Sequence, residues 1–257
     1  MQIKKDWWKD YFNEIYMITD ARSVRNSALT RQETDLLERV LGLDKNDKIL
    51  DLCGGYGRHS LELARRGYRN LAVLDFSKYL IKLGKEMAAK AGLKIKFLCR
   101  DARYSELKNN DYSVVFVMAN SFGYFPDERE NLRILREMHR LLQTGGKVLL
   151  DLTDPDYVRK HLKPQSWHQA NKDIIVLRER KLQGNIIKAR EIVVSKKRGL
   201  LRDGFYCERI YNKDRITRLL KKAGFKNLSI KKDLSLHKQK KDYGLMTSRM
   251  FVTAEKS

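Results

Sequence analysis

The chain has 257 residues, and 54 Lys and Arg against 32 Asp and Glu leave a formal net charge of +22. With 42% hydrophobic and 33% charged residues it reads as a soluble globular protein and not as a disordered chain. No apolar run approaches the roughly 18 residues of a membrane helix; the strongest is 114–119, and the first eight residues lack a secretory h-region. Cys53, Cys99 and Cys207 are too few and too scattered for a disulfide framework or a clustered metal site. A cytoplasmic protein without metal and without membrane association is the expectation. The charge is uneven: residues 1–50 are neutral, 51–150 carry +7 and 151–257 carry +15. A lysine-rich solvated surface and a polyanionic partner both accommodate that asymmetry.

In chain order, Asp6–Ile18 is aromatic-rich with helical spacing. A second helix is expected over Thr30–Leu41, with Thr30 as N-cap, Glu33 completing a capping box, and Gly42 ending it. From residue 47 short apolar runs alternate with amphipathic helices. Strands are expected at Lys48–Leu52, Leu71–Leu74, Lys94–Leu98, Tyr112–Ala119 and Lys147–Leu152. Helices are expected at Arg58–Arg66, Ser77–Ala91 and Asp127–Gln143. This succession predicts an α/β fold, a Rossmann-like doubly wound sheet covered by helices on both faces. After Pro155 and Pro164 the rhythm changes. Asp173–Leu182 and Asn185–Ser195, joined at Gln183-Gly184, and then Phe205–Tyr211 predict a small antiparallel β insertion. A helix at Asp214–Ala223 and strands near 226–234 and 246–254 return to the parent sheet. The expected organisation is an N-terminal helical cap (1–45), a Rossmann-like domain (46–153 and 211–257) and the insertion (154–210).

The most informative stretch is Ile49-Leu50-Asp51-Leu52-Cys53-Gly54-Gly55-Tyr56-Gly57-Arg58. A strand running through glycines into a helix brings backbone close to a ligand and aims helix N–H groups at it. A dinucleotide site is one reading, since Gly55-Tyr56-Gly57 precedes a helix and Asp75 follows twenty residues after Gly55. Against it, the third small position falls on Ser60, and Asp51 at the strand end would repel a pyrophosphate. That carboxylate suits a ligand carrying a cationic amino group.

The segment resembles the first motif of class I S-adenosylmethionine-dependent methyltransferases, an acidic residue followed by alternating glycines. Asp51, Gly55 and Gly57 match, with Gly54 between them, while Cys53 stands at the place of the first glycine. Asp75, followed by Phe76, resembles the family's ribose-binding acid. Asp101 with Ala102 resembles its adenine contact, and Val115–Asn120 its fourth-strand motif. Leu141–Lys147 resembles the fifth-strand signal. The resemblance covers 47–152 strongly and 212–254 more weakly, and it implies S-adenosyl-L-methionine as methyl donor, S-adenosyl-L-homocysteine as product and an antiparallel last strand. It also places Asn120 at the cofactor.

After the fourth strand, Asn120 is followed by Ser121-Phe122 where amino-methyltransferases of nucleic acids carry prolines. No cysteine follows a proline, as cytosine carbon-5 enzymes require. The Ser121–Tyr124 segment and the insertion resemble instead a small-molecule branch, in which an N-terminal helical segment and the insertion close over the acceptor or make a dimer contact. That resemblance makes Tyr124 and Asn120 the catalytic candidates, and Tyr11, Tyr16, Glu179, Tyr206 and Arg249 candidates for the acceptor pocket. His59, His139, His161, His168 and His237 have no metal-ligand spacing, and His59 reads as structural. A small-molecule N- or O-methyltransferase is the leading expectation. The alternatives are an RNA- or protein-directed enzyme, with Arg178, Arg180, Lys181, Lys231, Lys232, Lys238, Lys240 and Lys241 as phosphate contacts, and a non-catalytic binding module.

Overall fold

The chain opens with four helices, α1 (Trp8–Tyr11), α2 (Glu14–Thr19), α3 (Ala21–Val24) and α4 (Ser27–Leu41), in a computed structural model that describes residues 1–232 and 244–257. His237, Lys238, Lys240, Lys241 and the end of the strand expected near 226–234 lie outside the described residues. The helix expected over Asp6–Ile18 is broken after Tyr11. Asn13 leaves the helical region (φ −130°) and its side chain accepts from Ile15 N, capping α2; a short polar side chain that competes for backbone N–H groups favours such a break. The second expected helix starts earlier, because Asn26 and not Thr30 is the N-cap, accepting from Leu29 N at 3.0 Å. Thr30 lies in the first turn with its hydroxyl donating to Asn26 O. Gly42 ends α4 in the left-handed conformation.

The sheet elements follow: β1 (Lys48–Leu52), α5 (Arg58–Arg65), β2 (Asn70–Asp75), α6 (Lys78–Lys90), β3 (Lys96–Cys99), β4 (Tyr112–Val117), α7 (Glu128–Leu141) and β5 (Leu142–Thr153). Next come α8 (Pro155–His161), β6 (Gln165–Gln169), β7 (Ile174–Gln183), β8 (Ile186–Ser195), β9 (Gly199–Arg209), α9 (Lys213–Lys222), β10 (Phe225–Lys231) and β11 (Arg249–Lys256). Seven strands form one sheet in the order β10-β11-β5-β4-β1-β2-β3, with β11 antiparallel to both neighbours and β1 to β5 parallel. This is the expected Rossmann-like sheet with an antiparallel last strand. Helices cover both faces. Val115, Val117 and Leu150 pack with Leu135 of α7 and Leu220 of α9, while Ile49, Phe116 and Leu149 pack with Leu37 of α4 on the other side. Burial on both faces explains the adjacent apolar residues Ile49-Leu50 of β1 and Val114–Val117 of β4.

A separate antiparallel sheet has the order β6-β7-β8-β9. Three strands were legible; β6 was not, because Gln165–Gln169 is a polar edge strand. Gln183 pairs with Ile186, so the hairpin turns on Gly184-Asn185, one residue later than expected. β9 begins at Gly199, well before Phe205, and leaves the sheet after Arg209. β8 alternates strictly, with Ile187, Ala189, Glu191 and Val193 all fully buried. The buried face rests on the N-terminal helices: Ile15 and Ile18 pack on its apolar part, Arg178 reaches Asp20 at 2.9 Å, and Arg202 donates to Tyr11 O. Glu191, with no exposure, holds Arg178 and Arg202 together at 2.7 and 3.1 Å.

Arg249 departs from expectation. It is fully buried on β11, pairs with Asp151 of β5 and with Glu33 of α4, and lines neither cavity at the carboxyl edge of the sheet. Glu33, which the sequence offered as a capping residue, also receives Arg58 and His59, the latter at 3.0 Å. Burial would raise the Glu33 carboxyl, but the guanidinium groups of Arg58 and Arg249 outweigh it and hold the pKa well below the usual range. His59 is lowered to about 4 by burial and by Arg58, so it is a neutral member of this network. Arg249→Met would strip the cation from two buried carboxylates. The expected loss of stability is about 3–5 kcal/mol, read by urea unfolding; a loss within ordinary surface values would contradict the network's role.

Candidate active site

The site is built at the carboxyl edge of the parallel strands, the edge at which open α/β sheets bind ligands. β1 ends at Leu52 and the chain turns through Cys53-Gly54-Gly55-Tyr56-Gly57 into α5. Gly55 (φ +60°) and Gly57 (φ +74°) adopt the left-handed conformation, and so does Cys53 (φ +56°). A non-glycine residue there is disfavoured by about 1–2 kcal/mol, so the backbone at Cys53 is the one a glycine takes easily. Gly57 does not line the cleft; a Cβ on it would meet Val73 at 2.8 Å, and its role is to start α5 against β2. Gly54 answers to Asp51, since a Cβ there would lie 2.6 Å from the Asp51 carboxyl.

Asp51 is fully buried. Its Oδ2 accepts from Ser60 Oγ at 3.0 Å, while Oδ1 has no hydrogen-bond partner. Burial pushes its pKa up to about 7, although Ser60 and Arg58 oppose the shift. Asp75, at the end of β2, accepts from Gly55 N and Ser77 N at 2.8 Å each, which ties the glycine loop to the next strand. A carboxylate has about four lone-pair sites, so Asp75 retains acceptor capacity. Burial raises its pKa even against those backbone donors. Asp101, after β3, is claimed by Arg103, which meets both of its oxygens and also reaches Glu130. Partial burial opposes ionisation, but the Arg103 hydrogen bonds win and lower its pKa.

Two adjoining cavities open along this edge. The first takes in Asp101, Ala102, Phe76 and Trp8; the second takes in Asp51, Gly54, Gly55 and Tyr16. Cys53, Asp75, Ser121, Tyr124 and Phe12 line both and mark their junction. Phe76 and Trp8 meet edge to face at 4.6 Å, and Arg103 lies over the Trp8 ring at 5.3 Å, so aromatic side chains form much of the wall of the first cavity. Tyr124 stacks on Phe12 at 5.4 Å, and burial raises its phenol well above the ordinary value.

Other candidates fall elsewhere. Asn120 lines neither cavity; its Oδ1 accepts from Thr153 N at 2.9 Å, so it joins the ends of β4 and β5. Tyr11 and Tyr206 form a second aromatic layer, 5.1 Å apart, behind Tyr124. Glu179 pairs in register with the exposed Arg190, on the face opposite Arg178 and Arg180, and so points away from the cleft. The sequence reading missed Trp8, Phe12 and Ser121 as site residues; the aromatic spacing of residues 7–16 was the one signal for the first two, and Ser121 entered only as part of the segment after the fourth strand. Among the described residues no three His, Cys, Asp or Glu side chains form a metal-binding group, and no helix is long and apolar enough to cross a membrane.

Residues 49–146 match the family model described as a methyltransferase domain. The chain is 25% identical over 149 residues to phosphoethanolamine N-methyltransferase 1 of Triticum aestivum, a match covering 58% of this chain and 30% of that protein. It is 28% identical over 130 residues to the eEF1A lysine and N-terminal methyltransferase of Homo sapiens, covering 47% of this chain and 19% of that one. The chain thus spans less than a third of either relative. A solved S-adenosylmethionine-dependent methyltransferase from Clostridium acetobutylicum superposes with a TM-score of 0.74 at 18% identity, over 95% of this chain and 96% of that one. Strand order, strand-end acids and glycine loop agree with these likenesses: residues 49–146 carry a methyltransferase domain, on the fold of the solved S-adenosylmethionine-dependent enzyme.

Gly54→Ala should drive the Asp51 carboxyl from its place while the fold persists. The expected result is at least about a tenfold loss of S-adenosylmethionine affinity by calorimetry, with an unchanged circular dichroism spectrum. Undiminished affinity would separate Gly54 from the cofactor.

Proposed function

We propose that the protein transfers the methyl group of S-adenosylmethionine to a nitrogen or oxygen of a small molecule. The observation that carries this reading is the unpartnered Asp51 Oδ1, buried and facing a cavity beside the glycine loop. A buried acceptor without a donor is complementary to a cation, and the cofactor's amino-acid end brings an ammonium group. Asp75, at the junction of the cavities, is suited to the ribose hydroxyls, and the apolar wall of Phe76, Ala102 and Trp8 to the adenine. The bound cofactor supplies an electrophilic methyl on a sulfonium centre, which departs as a thioether.

The chain's own contribution is orientation and exclusion of water. Tyr124 lines both cavities and its carbonyl accepts from Trp7 Nε1, so the N-terminal segment is fastened over the end of β4. With its phenol kept neutral by burial, Tyr124 acts as a hydrogen-bonding positioner and not as a base. Closure of this side by the aromatic residues of α1 and α2 and by the insertion sheet supports a small acceptor over a polymer. The wheat relative's name, a phosphoethanolamine N-methyltransferase, supports nitrogen.

A protein- or RNA-directed enzyme is the second reading, favoured by the human relative's name and by the basic C-terminal part. Against it, Arg178 is buried in ion pairs with Asp20 and Glu191, and Lys232 sits 2.6 Å from Asp156. A radiolabelled-methyl screen across amines, hydroxylated metabolites, RNA and protein should label small molecules; label in RNA or protein alone would overturn the proposal. A second expectation concerns pH. Asp51 must be ionised to face an ammonium group, and in the free protein it titrates at about 7. Affinity for S-adenosylmethionine should therefore weaken as pH falls below about 7, by up to about tenfold per unit. Calorimetric affinity that stays flat between about pH 5 and 8 would remove Asp51 from that role.

A further inference from the structure

The inner face of the insertion sheet carries two opposite charges that the fold leaves unfinished. Glu208 of β9 has a buried Oε1 without a hydrogen-bond partner, and Arg180 of β7 has a buried Nε without one. They do not form an ion pair with each other within 4.0 Å. Arg180 donates through Nη1 to Ser166 Oγ at 2.8 Å, and the Asn120 amide hydrogen-bonds Glu208. Each is thus held in place by one neighbour while a polar atom remains open.

Register sets their surroundings. Arg180, Ala189 and Tyr206 lie in one row across β7, β8 and β9, and Glu208 follows Tyr206 on the same face. Ala189 at the centre of the row is fully buried and contributes only a methyl group, so the row has side chains standing at its ends and little between them. Trp7 packs on both Tyr124 and Tyr206, at 5.4 and 6.0 Å between ring centroids, which connects the residue lining the cofactor cleft to this row. Leaving a buried carboxylate oxygen and a buried guanidinium N–H unpaired costs about 1–3 kcal/mol each. On the same inner face Arg178, Glu191 and Arg202 pair with one another, and the other open buried polar atom of β9, Arg209 Nε, belongs to a residue of the opposite face.

We propose that Glu208 and Arg180 form the acceptor subsite and that the acceptor is a small zwitterionic amine, its ammonium on Glu208 and its anionic oxygen on Arg180. This rests on the methyltransferase reading above and narrows it from nitrogen or oxygen to nitrogen. Glu208 then also removes the proton that blocks reaction: an ammonium N–H bond breaks, an O–H bond forms at Oε1, and the amine keeps the electron pair. Burial raises the Glu208 carboxyl to about 7, against the opposing Asn120 hydrogen bond and Arg180 charge. That brings it nearer to ammonium groups, which titrate at about 8–10, than an ordinary carboxylate stands. An alcohol is too weak an acid for such a base. Glu208 is therefore a candidate catalytic residue, and Asn120 a positioning residue acting through it.

The test is calorimetric binding to the full chain saturated with S-adenosylhomocysteine. The probes are phosphoethanolamine and β-alanine, with ethanolamine as an amine without an anion and inorganic phosphate as an anion without an amine. One zwitterion should bind at least about tenfold more tightly than either half-probe, and the two zwitterions separate a phosphate from a carboxylate. Glu208→Gln should abolish that preference and Arg180→Gln should reduce it to the level of ethanolamine, both with unchanged S-adenosylhomocysteine affinity. If Glu208→Gln fails to fold, Glu208→Asp keeps the charge and should weaken zwitterion binding without loss of the fold. Zwitterion binding that survives Glu208→Gln, or no zwitterion binding to protein that holds S-adenosylhomocysteine, overturns the subsite. Failure to bind S-adenosylhomocysteine itself would instead overturn the methyltransferase reading.

Discussion

The site depends on one buried carboxylate that the fold declines to neutralise. Three acids lie buried along the same edge of the large sheet and the helix beside it: Asp51, Asp151 and Glu33. Asp151 is met by Arg249 and by the Ala119 N–H at 2.7 Å, and Glu33 by Arg58, His59 and Arg249. Asp51 alone among these three receives a single hydroxyl and keeps an open oxygen. Two cations pinned to the neighbouring acids give the interior a fixed charge pattern, and the gap in that pattern faces the second cavity. Gly54 has no side chain because Asp51 occupies the space, and Gly55 is bound to Asp75, so the whole loop is shaped around these two acids.

The acceptor side follows a different rule. The cofactor cleft is set by the parallel sheet, but its outer wall comes from chain segments far apart in sequence. Trp7 and Phe12 pack on Tyr124, Tyr11 packs on Tyr206, and Arg202 and Arg178 clamp the N-terminal helices to the insertion. Aromatic contacts of this kind add about 0.5–1.5 kcal/mol beyond burial, and the charged clamp fixes which face of the insertion looks inward. Fold and wall are thus separable: we assign the donor to residues at strand ends and the acceptor to residues on the small sheet. The insertion, residues 154–210, supplies +7 of the +15 carried by residues 151–257, and part of that charge lies inside, in the pairs of Arg178 and Arg202 with Glu191.

Much of the first unit was legible in the sequence because each signal there is local. Asp51, Gly55 and Asp75 announce themselves by position relative to a strand, and strand ends are readable from apolar runs. The second unit was less legible because function there depends on which way a strand faces. Glu179 and Arg180 are neighbours in sequence and opposite in orientation, and a one-residue difference in hairpin position exchanges them. Arg249 entered as an acceptor-pocket candidate by resemblance; its partners, Glu33 and Asp151, are distant in sequence and invisible to periodicity. Asn13 and Asn26, the residues that end one expected helix and begin another, act through caps that compete with a helical pattern. Glu208 gave no signal at all, since an acid alternating in a β run reads as a solvated residue until the sheet is placed against the cleft.

Because Asp51 is assigned to the amino-acid end of the cofactor, its substitution must discriminate between ligands with and without that end. The decisive measurement compares Asp51→Asn with the unaltered protein for S-adenosylhomocysteine and for 5′-methylthioadenosine, which shares the nucleoside but has no ammonium group. Affinity for S-adenosylhomocysteine should fall at least about tenfold, while affinity for 5′-methylthioadenosine stays unchanged. An equal loss for both ligands, or none for either, would contradict the account.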